Sequence, residues 1–210
     1  MARYLGASCR LCRREGSKLF LKGQRCFTDK CAVERKPYPP GSRGAAAKRG
    51  KLSEFGTQLR EKQKVRRIYG MLEGQFRTFF EKATKVKGVT SEIFFRSLEL
   101  RLDNTVYRMG FARSRNEARQ LVRHNHILVN ERRLNIPSAQ LKVGDVVRVT
   151  EKSQTKVVFS EVKDVAAQRP PMAWCEVDHE KFIGKVIANP TREDIQIPVK
   201  ERLIVELYSK

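Results

Sequence analysis

Long apolar runs are missing from this chain, and so are acidic residues in the number needed to balance its basic ones. No stretch of about 18 apolar residues, no signal-type hydrophobic region and no lipidation motif occurs, which argues against a membrane-bound protein. Histidine is scarce: His124, His126 and His179 stand without a nucleophile or paired carboxylates beside them. There is no phosphate-cradling loop, so the parts of a catalytic centre are not assembled and no small-molecule substrate is expected. No internal repeat with a period of roughly 20–50 residues organises the chain.

What is present is positive charge. Lys and Arg number 44 against 23 Asp and Glu, a net charge of +21 over 210 residues that predicts a polyanionic partner. The excess is uneven. Residues 1–97 carry 24 basic and 8 acidic side chains, residues 98–165 carry 13 and 8, and residues 166–210 carry 7 and 7, so the electrostatic footprint lies mainly in the first half. A hydrophobic fraction of 40% is that of a folded protein.

The segment from Met1 to Arg35 has too few apolar residues to fold alone, but it holds Cys9, Cys12, Cys26 and Cys31 within 23 residues. A C-x2-C turn followed by a C-x4-C turn can close four thiolates around one ion, and zinc is the natural occupant, held for structure with no open position. An iron–sulfur cluster on the same four sulfurs is the alternative, and disulfides are disfavoured where thiols stay reduced. Cys175, beside Trp174, has no such partner and reads as core. Residues 36–51 form a basic, Pro- and Gly-punctuated arm.

From Ser53 the apolar positions Val65, Ile68, Leu72, Phe76, Phe79, Phe80 and Ala83 recur at spacings of three and four, predicting one helical stripe that Gly70 and Gly74 weaken without forbidding. A second helix follows Gly88. Asp103 reads as the cap of a short helix ended by Gly110, and Ser114 with Glu117 reads as a capping box. Strands are predicted over 126–130, 132–136 and 145–150, with Leu121, Val122 and Leu128 as core, and a last apolar strand over 202–208.

The run from Arg101 to His124, continuing through Ile127 to Asn130, Pro137-Ser138 and Gly144-Asp145, resembles the S-four RNA-binding domain. Further blocks at Ala2 to Gly6, Arg13 to Gly16, Leu59 to Gly70 and Leu203 to Lys210 make the whole chain similar to the S-four family of bacterial small-subunit ribosomal proteins. The resemblance implies an α+β fold: a metal-stapled N-terminal segment (1–45), a helical domain (46–97), an inserted S-four domain of helices on a small antiparallel sheet (98–165), and an extension packing back (166–210). It also implies a structural constituent of the bacterial ribosome in the cytoplasm, binding the 5′ domain of small-subunit RNA early in assembly, beside other small-subunit proteins. Such a protein lies near the channel where messenger RNA enters and contributes to decoding accuracy. The family's zinc-ligand form carries four cysteines matching those here. Where many members read Pro-Gly-Gln-His-Gly, this chain has Pro40 to Gly44 as Pro-Gly-Ser-Arg-Gly, although Arg43, Lys48, Arg49 and Lys51 keep positive charge near the messenger.

Folded RNA is recognised through shape, phosphates and 2′-hydroxyls, for which arginine's planar fork is suited. Arg115, Arg119 and Arg123, four apart, are expected on one helix face, with Arg113, Ser114 and Asn116 at its start and His124 at its end. Arg60, Lys64 and Arg67 form a similar row, joined by Lys62, and Arg3, Arg13 and Arg14 add to it. Two rival readings are an RNA-modifying enzyme, which lacks its catalytic domain here, and a zinc-containing DNA regulator, which lacks a base-reading helix and dimer interface.

Overall fold

A single glycine divides the long helical stripe in two. In the computed structural model, which describes residues 3–41, 44–46, 52–166 and 172–209, α3 (Glu54–Ile68) and α4 (Glu73–Thr84) are separate helices. Gly70 sits at φ +62, and the N–H groups of Gly70 and Met71 reach back to the carbonyls of Arg67 and Arg66, a left-handed helix stop that a side-chain-bearing residue resists. The apolar pattern survives because both helices bury it: Val65, Ile68, Phe76 and Phe80 are all buried, and Phe76 and Phe80 lie against the ring of Tyr208.

The chain forms two units, residues 1–91 with 197–210, and residues 92–196. In the first, α1 (Ser8–Glu15), a 3-10 turn (Gly23–Cys26) and α2 (Ala32–Arg35) precede α3 and α4, and α10 (Glu201–Tyr208) packs on α3. The last segment is therefore a helix and not the strand its Leu-Ile-Val run suggested. Ile204 and Tyr208, four residues apart, share a face: Ile204 is buried, and the Tyr208 ring lies 4.7 Å from that of Phe80. Arg202 pairs with Glu206 along the helix and Gln58 donates to Glu206, so docking and local pairing override β-propensity.

In the second unit, α5 (Thr90–Glu99), α6 (Leu102–Arg108) and α7 (Arg115–Arg123) lead into β1 (Ile127–Val129), β2 (Arg132–Arg133) and β3 (Val146–Val149). Then come α8 (Glu151–Gln154), α9 (Val157–Ala166), β4 (Cys175–Asp178) and β5 (Ile183–Val186). The five strands form one antiparallel sheet in the order β2-β1-β3-β5-β4. The α+β class is as expected, but β4 and β5 come from the tail read as a separate extension. Residues 172–196 thus complete the sheet, and only the end of the chain returns to the first unit.

The core of this unit joins Leu102, Val106, Met109, Phe111, Leu121, Val122, Ile127, Val147, Val149, Phe159, Trp174 and Phe182. Ile127, not the half-buried Leu128, is the inward residue of β1, because the side-chain period of two lets only alternate positions face inward. Asn130 and Glu131, both at positive φ, make the two-residue hairpin that joins β1 to a β2 much shorter than predicted. Gly184 lies against Met109, where a Cβ would meet the sulfur at 2.6 Å.

Candidate nucleic-acid interface

Helix α7 begins as its sequence dictates. The Ser114 hydroxyl accepts the Glu117 N–H at 3.3 Å, and the Glu117 carboxylate accepts the Arg113 N–H at 2.6 Å, so both acceptors of the box are used, one residue earlier than the standard reciprocal pair. The Arg113 guanidinium also grips Glu117 and reaches Glu161. Asn116 is exposed at the first turn.

The three arginines expected on one outward face part company. Arg119 is buried, and its guanidinium donates to Asp103 at 3.0 Å. Asp103 also accepts two bonds from the fully buried Arg101, at 3.0 and 2.8 Å. Asp103 is thus no helix cap: it lies inside α6, whose cap position is Arg101, and serves as the counter-ion of two interior guanidiniums. Arg115 is half-buried, donating to Asn104 Oδ1 at 2.8 Å with its guanidinium 4.5 Å from the Tyr107 ring centroid. Asn104 in turn donates to Glu99, which binds Arg108 through two bonds of 2.8 and 2.7 Å.

Only Arg123 of the row stands exposed, followed by the exposed His124. Asn125, at φ +59, is the left-handed stop of α7, with its own N–H and that of His126 turned back to Val122 and Leu121. The hairpin beyond adds exposed Arg132 and Arg133, which the expected site omitted. The sequence carries that signal in two adjacent cations next to a turn, within a run whose pattern predicts only a strand.

In the first unit the second expected row is also inward. Arg60 and Arg67 both bind Glu15, whose carboxylate is almost wholly buried. Lys64 pairs with Glu61 at 2.6 Å, and buried Lys62 pairs with Glu73 at 2.6 Å. Tyr208 donates to the same Glu73 oxygen, and burial together with that carboxylate pushes its hydroxyl pKa up. Arg13 donates to the carbonyls of Lys36, Tyr38 and Pro39 and lies over the Tyr38 ring. Arg3 and Arg14 are exposed, whereas Arg43, Lys48, Arg49 and Lys51 lie outside the described residues.

Residues 3–99 match the family described as "Ribosomal protein S4/S9 N-terminal domain", and residues 100–147 match "S4 domain". The small ribosomal subunit protein uS4 of Caldicellulosiruptor bescii is 60% identical over 210 residues, covering both chains entirely. Those of Acetivibrio thermocellus and Geobacter sp. strain M21 are 61% and 59% identical with the same full coverage. The chain belongs to the uS4 family of small ribosomal subunit proteins. It is a structural ribosomal protein of the bacterial ribosome and not an enzyme, and binding to small-subunit ribosomal RNA follows from that membership. No helix among the described residues is long and apolar enough to cross a membrane.

In this uS4-family chain Cys9 and Cys12 lie three apart on α1, Cys26 ends the 3-10 turn and Cys31 precedes α2. All four are free thiols, and Cys12, Cys26 and Cys31 are buried. The sulfur of Cys26 accepts the Lys22 N–H at 3.4 Å, and that of Cys12 accepts the Leu19 N–H. Burial pushes the Cys12 and Cys26 thiols up, and the other cysteines, as neighbouring charges, add to the effect. Among the described residues no group of three or more His, Cys, Asp or Glu side chains is arranged to hold an ion. Cys175 is a core residue as expected, its thiol pushed up to about 12 by burial.

Proposed function

We propose that this chain binds the 5′ domain of small-subunit ribosomal RNA early in assembly, fixing a helical junction so that later proteins can join, with other small-subunit proteins as neighbours. The observation that carries it is the separation of cations into two sets. Carboxylates neutralise the inward set, while Arg123, Arg132 and Arg133 have no ion pair among the described residues. In the second unit the outward set, with His124 and the polar start of α7 at Ser114 and Asn116, meets RNA phosphates, and in the first unit Arg3 and Arg14 do so separately. Arg115, held against Asn104 and Tyr107, meets RNA at the edge of the second unit's set, and Arg113 flanks it. Arg119 in the second unit, and Arg60, Arg67, Lys62 and Lys64 in the first, each hold their own unit together through carboxylates.

The test is binding of the purified protein to a 5′-domain RNA fragment across a salt series, with duplex DNA as competitor. RNA-selective binding that weakens steeply with salt, and loses slope when Arg123, Arg132 and Arg133 become Ala, supports the assignment. Equal competition by DNA overturns it in favour of a DNA-binding regulator.

The arm residues Arg43, Lys48, Arg49 and Lys51 contact messenger RNA where it enters the subunit and thereby affect decoding accuracy. This reading rests on the family resemblance and on the arm's charge. Ribosomes carrying all four as Ala are expected to change in misreading of a reporter, and unchanged fidelity refutes it. Cys9, Cys12, Cys26 and Cys31 hold a structural zinc ion. What supports this reading is the clustering of four cysteines within 23 residues and the effect of the neighbouring cysteines in raising the thiols of Cys12 and Cys26; closing the four round one cation would draw together side chains that the structure leaves ungrouped and supply the folding energy that this core-poor segment lacks. Stoichiometric zinc in the purified protein supports the site. Iron with visible absorption would assign an iron–sulfur cluster instead.

A further inference from the structure

Two phenylalanines in the cysteine segment are stacked on each other without being buried. The ring centroids of Phe20 and Phe27 are 4.9 Å apart with planes inclined by 28°, yet Phe27 is 74% exposed and Phe20 is 37% exposed. Their backbone neighbours show that this is not loose packing. Leu19 and Cys26, each adjacent to one of the rings, are buried and pin the chain on either side. Phe20 itself has φ +51, a left-handed conformation that a bulky side chain rarely adopts and that surrounding structure must enforce. The chain is turned so that one aromatic face is offered to the outside.

The surroundings of that face select its occupant. Between Lys18 and Cys31 the exposed side chains of Lys22, Arg25 and Lys30 form no ion pair among the described residues, Lys18 is paired to Glu34, and Asp29 is the single acid of the stretch. An aromatic surface flanked by unpaired cations is the pattern that grips unpaired nucleotides, in which a base stacks on the ring while phosphates meet the cations. A protein groove of matching chemistry would have to supply several carboxylates and an apolar wedge together.

We propose that Phe20 and Phe27 form a stacking platform for an unpaired base of the bound RNA, with Lys22, Arg25 and Lys30 receiving the adjacent phosphates. The proposal rests on the chain being RNA-binding but names a contact outside the S4 domain. It is tested with the full-length protein and the 5′-domain RNA fragment, comparing wild type, Phe27→Leu, Phe27→Tyr and Arg25→Ala. Phe27→Leu keeps the apolar bulk but removes the π-face, and is expected to weaken binding by about tenfold with an unchanged salt slope. Phe27→Tyr should bind as wild type does, and Arg25→Ala should lower the slope by roughly one. Ultraviolet cross-linking of the wild-type complex should leave a nucleotide on the peptide bearing Phe27, a readout independent of whether Phe27→Leu folds normally. Phe27→Leu binding as tightly as wild type overturns the platform while leaving RNA binding intact, and so does cross-linking of Phe27 to a protein in assembled subunits. Failure of the wild type to select this RNA sinks the broader reading as well.

Discussion

The second unit and the cysteine segment of the first solve the same problem with different means. Both carry many arginines, but residues 92–196 enclose a core rich in aromatic and branched side chains, whereas residues 3–41 bury little beyond Leu19 and three cysteines. Where a core exists, interior arginines are matched one group at a time: Arg101 and Arg119 to Asp103, Arg108 to Glu99. Where it is scant, arginine substitutes for one. Arg13 holds three backbone carbonyls of residues 36–39, and Arg60 and Arg67 on α3 clasp Glu15 at the end of α1. Several basic residues of this chain are therefore structural parts, committed to carboxylates and carbonyls inside the protein.

The largest test of this contrast is Asp103→Ala. It removes the carboxylate that two buried guanidiniums share, which should cost about 3–5 kcal/mol in denaturant unfolding of the second unit. A cost below about 1 kcal/mol would mean that water reaches Arg101 and Arg119 and that the core is less complete than described. Next in size is Cys26→Ser. Loss of one sulfur should open residues 3–41 to proteolysis, with the second unit's unfolding unchanged; uniform destabilisation of both would refute the separation. Third is Glu15→Gln, which removes the anion between Arg60 and Arg67. It should loosen α1, by hydrogen exchange, far more than α6 or α7.

These same arginines show how far the sequence could be read. The capping box at Ser114 and Glu117, the stop at Gly110 and the inward positions of Phe76, Phe80 and Leu121 were legible because each rests on local spacing alone. The break at Gly70 was less so, since an amphipathic pattern continues through it when both helices bury their apolar positions. The C-terminal helix is hidden in the sequence because Leu203, Ile204 and Val205 favour a strand until docking on α3 decides otherwise. Strands β4 and β5 pair with residues far away in sequence, and nothing local announces that. For the interface, spacing put Arg115, Arg119 and Arg123 on the same helix correctly. It could not tell which of them has a carboxylate waiting inside, because Asp103 is 16 residues from Arg119.

Acid distinguishes the two units with the smallest expected effect. His126 in the second unit donates to or accepts from the Ser153 hydroxyl at 2.8 Å, and burial, then Lys156 and His124, hold its pKa below the ordinary 6.5. A depressed folded-state pKa means that protonation opposes folding, so its contribution is complete above pH 6.5 and fades as pH falls through the folded value. Glu73 in the first unit is also depressed, from 4.5: burial pushes it up, but hydrogen bonds from Lys62 and Tyr208 outweigh that. Its contribution should persist until pH falls below 4.5. Hydrogen exchange followed on acidification should therefore register His126 in the second unit before Glu73 in the first. His126→Gln should flatten only the earlier change, and Glu73→Gln only the later one. If a single substitution flattened both, the two units would be responding to acid as one cooperative body, and the division between a core-built and an arginine-built region would describe composition without describing stability.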